Sequence, residues 1–147
     1  MNDNATFDIT SEAVDDTATI HVKNAAGELL YADKERTKPL QIVIWGPGSS
    51  AFGVVESRQS ARAVKRMQDN DGKVTAAPFE DRLRDSAEDL AALTIEFVNF
   101  AYPPKPDARG AELFTAVYAD QKLGFIAKQV TKFLGDWGNF KSGSPAS

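Results

Sequence analysis

The sequence predicts an α+β fold, a small N-terminal antiparallel β-sheet or hairpin followed by a mainly helical region of about four helices. Three observations carry this. Apolar and polar residues alternate with period two ahead of Gly46, whereas beyond it the apolar residues recur at steps of three and four. Gly46-Pro47-Gly48 separates the two regimes. Pro103, Pro104 and Pro106 then divide the helical part in two. With 147 residues the chain is long enough for one domain with its own core, expected over residues 17–140.

Residues 1–16 hold five acidic and no basic residues and read as a flexible acidic segment, in which Phe7 and Ile9 alternate like a short edge strand. In residues 17–22, Ala18, Ile20 and Val22 point one way while Thr19, His21 and Lys23 point the other, the mark of a half-buried strand. Asn24-Ala25-Ala26-Gly27 supplies a turn, and residues 28–31 are expected to return as a second strand. Residues 39–45, PLQIVIW, form the strongest strand candidate. It stops at Gly46 because Pro47 has no N–H donor and the serines behind it favour a helix cap.

A helix is expected over residues 50–69. Ser57, Ala61, Val64 and Met67 make its small-residue face, and Arg58, Arg62, Lys65 and Arg66 fall on the opposite side. A second helix is expected over residues 79–100, with Leu83, Ala87, Leu90, Thr94, Phe97 and Ala101 on one face. Its other face carries Glu80, Asp81, Asp85, Glu88 and Asp89 and reads as solvated charge. After the prolines come a short helix over residues 110–118 and a final one capped by Asp120, whose apolar stripe is Leu123, Ile126, Val130, Phe133 or Leu134, and Trp137. Gly138 is placed to end it, Phe140 to fold back, and residues 141–147 to trail as a flexible tail.

Composition excludes several chemistries. The absence of cysteine removes disulfides, thiol catalysis and Cys-bound zinc, and a single histidine, His21, cannot build a two-histidine metal site. A formal charge of −4 argues against general nucleic-acid binding. No stretch approaches the apolar length of a membrane helix, and the acidic N-terminus does not read as a signal peptide. The Gly46–Ser50 turn lacks the spacing and lysine of a phosphate loop. His21 reads as a surface histidine with no local acid or nucleophile. The adjacent acids Glu80-Asp81 and Glu88-Asp89 diverge by about 100° on a helix and form no carboxylate pair. No enzyme, cofactor or metal is expected.

Two features point to protein contacts. The row Arg58, Arg62, Lys65 and Arg66 suits an acidic protein surface, such as the N-terminal segment or the residue 80–89 face of another copy. The aromatics Phe97, Phe100, Tyr102, Phe125, Trp137 and Phe140 belong in part to the core and in part to a groove for a helix or peptide.

From Leu40 to Phe140 the order of these features resembles the tail assembly chaperones of long-tailed bacteriophages. The resemblance rests on the strand leading to Gly46-Pro47-Gly48-Ser49-Ser50 and the Arg-rich helix behind it, and on Leu93-Thr94-Ile95-Glu96-Phe97-Val98-Asn99-Phe100. Its third part runs from Ala111-Glu112-Leu113-Phe114-Thr115 through Phe125-Ile126-Ala127-Lys128-Gln129-Val130 to Gly138-Asn139-Phe140. Where such proteins commonly carry a Gly-Lys-Asp-Ser turn, this chain has Pro47-Gly48. The resemblance implies a protein of the host cytoplasm that binds the tape-measure protein, keeps it soluble, helps recruit the major tail-tube protein and is absent from the mature virion. Self-association or pairing with a frameshift-extended form is also implied as a possibility, with no membrane partner. Two other readings are a tail-completion or connector protein retained in the virion, and a DNA-binding regulator using the Arg58–Arg66 face.

Overall fold

In a computed structural model, which describes residues 5–73 and 77–141, the chain has an α+β fold with a three-stranded antiparallel sheet and four α-helices. The strands are β1 (Thr17–His21), β2 (Gln41–Trp45) and β3 (Thr94–Val98), in that order across the sheet. The helices are α1 (Ser50–Asp69), α2 (Phe79–Leu93), α3 (Gly110–Ala119) and α4 (Gly124–Leu134). The expected tail beyond residue 141 and the first four residues of the acidic segment lie outside the described residues.

β1 and β2 form where the alternation predicts them. Ile20, Ile42 and Ile44 turn the same way and are buried, and Val22 continues the row. The turn expected after the first strand also holds: Gly27 takes a φ of 86°, and the Asn24 side-chain carbonyl accepts from the N–H groups of Ala26 and Glu28, each at 2.9 Å. Residues 28–31, however, do not make a strand. They slot between two neighbours through single bonds, with Leu30 N donating to Val22 O and Leu40 N to Leu30 O, while Val22 N donates to Leu40 O.

The third strand comes from the stretch expected to complete the second helix. α2 stops at Leu93, and Thr94-Ile95-Glu96-Phe97-Val98 pairs with β2. Three of these five residues are β-branched and a fourth is aromatic, a composition suited to a pleated surface. The free edge of β2 supplies the ladder; the helical spacing of Leu90, Thr94 and Phe97 is coincidental. A register shift between Val43 and Ile44 leaves Ile95 as the extra residue of a bulge. Asn99 ends the strand at a φ of 66° and donates its side-chain amide to Pro39 O at 2.8 Å.

Two termini also differ from expectation. Phe7 and Ile9 are exposed and lie at a 3₁₀ turn, Ile9–Glu12, because the Asp8 carboxylate caps it through the Thr10 N–H and hydroxyl. Asp120 caps a 3₁₀ turn, Gln121–Leu123, that precedes α4 rather than α4 itself. At the far end α4 closes at Gly135, whose N–H reaches the carbonyls of Thr131 and Lys132 at 3.2 Å, and Gly138 lies beyond it. Trp137 therefore leaves the apolar stripe and points to solvent, 56% exposed, while Asp136 caps the 3₁₀ turn Trp137–Phe140.

Phe140 does fold back, completely. It is buried against Phe133 with ring centroids 5.4 Å apart, and its ring fills the space a β-carbon on Gly46 would take. The core lies between the sheet and α2, α3 and α4, around Ile42, Ile44, Val117, Tyr118, Val130 and Phe133.

Candidate functional site

α1 begins where the sequence predicts, with the Ser49 hydroxyl accepting from the Phe52 N–H at 3.2 Å. Its twenty residues bury one side chain, Val55. Facing α2, the inward row of α1 is Phe52, Val55, Gln59, Arg62 and Arg66, and most of its binding groups are charged or polar. At about 100° per residue, the small-residue row Val54, Ser57, Ala61, Val64 and Met67 lies about 180° away. It is accordingly on the outside: Val54 is 66% exposed, Val64 54% and Met67 41%. Beyond Phe52 and Val55, which face inward, the usual arrangement of apolar inward and charged outward is reversed along this helix.

The cause is Asp89. Its carboxylate is buried and accepts from Arg62 Nη2 at 2.7 Å and Nη1 at 2.9 Å, from Gln59 Nε2 at 3.1 Å and from Arg58 Nη2 at 3.2 Å. Asp85, one turn earlier, pairs with Arg66 at 3.3 Å and with Arg62 at 3.8 Å. Burial opposes ionisation of Asp89, but the donors from Arg62, Gln59 and Arg58 outweigh it and hold the carboxyl below its usual range. The bond to Asp89 correspondingly raises Arg62. Of the acidic face expected to be solvated, Asp85 and Asp89 are thus the internal counterpart of the basic row, whereas Glu80 and Glu88 are exposed as expected and Asp81 pairs with Arg84 on its own helix.

Of the four cations expected to dock on another molecule, Arg58, Arg62 and Arg66 are engaged within the chain. Lys65 points outward and pairs with Asp69 on its own helix at 3.2 Å. Beneath the charged contacts, α1, α2 and the end of α4 enclose an open groove of about 500 Å³ floored by Phe52, Val55, Leu90, Leu93 and Leu134.

The aromatic candidates do not converge on one groove. Phe97 stacks on Phe100 at 4.4 Å and meets Phe114 and Tyr118 in a cluster between β3 and α3. Tyr118 is buried, bonded to the Thr94 hydroxyl at 2.7 Å, and burial raises its phenol strongly. Tyr102 donates to Asp120 at 2.9 Å, which raises its own phenol. Phe125 packs half-buried on the core, Phe140 is wholly within it, and Trp137 alone of the six is mostly exposed. Phe140 is therefore a core residue and cannot touch a client in this conformation. His21 is not a free surface histidine either: its Nε2 lies 2.9 Å from Leu30 O and its ring meets Tyr31 edge-on.

Gln59 was not among the expected contact residues, and Asp85 and Asp89 were expected to meet the basic row in another copy rather than within the same chain. The signal was present as two complementary ladders, acids four apart on one predicted helix and arginines four apart on its neighbour. Among the described residues no group of three His, Asp or Glu side chains is placed to hold a metal ion, and no helix is long and apolar enough to cross a membrane. No protein-family model matches the sequence, and neither a curated protein nor a solved structure matches it.

Proposed function

We propose that this chain is a tail assembly chaperone that holds apolar helical segments of a phage tape-measure protein, keeps them soluble and promotes addition of the major tail-tube protein. It works in the host cytoplasm and leaves before the virion is complete. The observation that carries this reading is the outward apolar row of α1. A twenty-residue helix anchored by charge on one side and presenting Val54, Ala61, Val64 and Met67 on the other is built to meet another protein. The small side chains at Ser57 and Ala61 let a second helix approach closely, as a helical client requires.

The regulator alternative has less support, because Arg58, Arg62 and Arg66 already face carboxylates of α2 and would have to leave them to reach phosphates. Coexpression with the tape-measure protein tests the main reading. Soluble client should rise and copurify with this chain, and mass spectrometry of purified mature particles should not find the chain. A client equally soluble without it removes the holding function, and retention in the particle favours the tail-completion or connector alternative.

A further inference from the structure

α1 is attached to the rest of the molecule unequally along its length. Its first turns are held by apolar contact, through buried Val55 and the part-buried Ala51 and Phe52. Residues 56–69 bury no side chain. Their hold on α2, the element α1 packs on most closely, consists of Arg58, Gln59, Arg62 and Arg66 reaching Asp85 and Asp89. The other helices are fixed differently: α2, α3 and α4 each bury three or four apolar or aromatic side chains in one core shared with the sheet.

Without α2, residues 56–69 make a poor helix. Arg58, Arg62 and Arg66 stand four apart and repel one another. Asp69 lies in the last turn, where the helix dipole disfavours a negative charge, and its pair with Lys65 runs in the weaker order. Such a helix owes its stability to its neighbour, so leaving α2 and melting are one event. Release also strands no buried charge. Asp85 and Asp89 line the open groove together with Arg62 and Arg66, and water reaches both signs as they part.

We infer that residues 56–69 form a salt-sensitive order–disorder switch, leaving α2 and melting as one unit while the sheet, α2, α3 and α4 stay folded. The opening uncovers Asp85, Asp89 and the apolar floor at Leu90, Leu93 and Leu134. It goes beyond the chaperone reading and requires no client. Salt favours the open state because the side chains of Arg58 and Arg66 are 44% and 36% exposed, and their attraction to α2 is screened accordingly.

Hydrogen exchange of the full chain, followed residue by residue through sub-denaturing urea at low and high sodium chloride, tests the switch. Amides within residues 59–69 should converge on one opening free energy with a shared urea slope, below that of α2, α3 and α4. High salt should speed their exchange about tenfold and leave the amides of α3 and α4 unmoved. Asp89→Asn should speed the same amides at low salt and blunt the salt effect. Arg66→Gln, at a more exposed position, should act in the same direction to a smaller extent, which keeps the test decisive if Asp89→Asn fails to fold.

Exchange of residues 59–69 only together with α2 and α3 overturns the inference, since α1 would then belong to the global unit. Amides that open one by one without a urea slope also overturn it, because that is fraying and not a cooperative step. So do rates that neither salt nor Arg66→Gln changes.

Discussion

Arg62 binds Asp89 through both terminal nitrogens, at 2.7 and 2.9 Å, and this pair fixes which way α1 faces. With its guanidinium turned toward α2, the row containing Val64 is carried to the opposite side and into water. Four donors on one buried carboxylate hold a helix that has little apolar burial of its own.

Asp89→Ala should therefore loosen α1. The loss is expected at about 1–3 kcal/mol, below the roughly 3–5 of a fully buried pair, because the Arg58 side chain is 44% exposed and that of Arg62 23%. The urea midpoint reads the loss. Combining Asp89→Leu with Arg62→Met should recover part of it by replacing the pair with apolar contact. A double variant as unstable as the sum of the singles would show that the two residues are not coupled.

The same pair sets a pH dependence. The Asp89 carboxyl is held below its unfolded value of about 4, so its contribution is fully present above that pH. It is lost as pH falls through the folded value, because protonation in the native state requires giving up the arginine bonds. Stability measured from about pH 6 down to pH 2 should fall less steeply in Asp89→Asn than in the parent. Parallel curves would mean that other carboxylates govern the acid limb.

Phe140→Ala should be a folding defect. With Phe133 on one side and Gly46 on the other, truncation should cost about 3–5 kcal/mol. Gly46→Ala should also destabilise, since its β-carbon would overlap the Phe140 ring, and the two changes together should cost less than their sum. Additive losses in thermal unfolding would show that the ring and the glycine do not share this space.

Local chemistry explains which elements could be read from the sequence. The start of α1 at Ser50 followed from Pro47 and the Ser49 cap, and β2 from its apolar run, because each signal is contained within a few residues. β3 was misread because Leu90, Thr94 and Phe97 satisfy a helical spacing, and only the presence of an unpaired β2 edge decides for a strand. Trp137 was misplaced because Gly135, three residues before Gly138, already stops α4. The basic and small-residue rows of α1 were both visible, but their orientation depends on Asp85 and Asp89, which lie across a loop in another helix. Without that pairing, a helix is expected to bury its apolar side.

The central claim is that the outward row of α1 holds the client, and the most direct measurement is coexpression of the tape-measure protein with Val54→Asp/Val64→Asp. Both side chains are already exposed, so thermal unfolding and circular dichroism should match the parent. The account predicts that the double variant, though folded and equally abundant, recovers far less soluble tape-measure protein and copurifies with little of it. A folded double variant that keeps the client as soluble as the parent does would contradict the account.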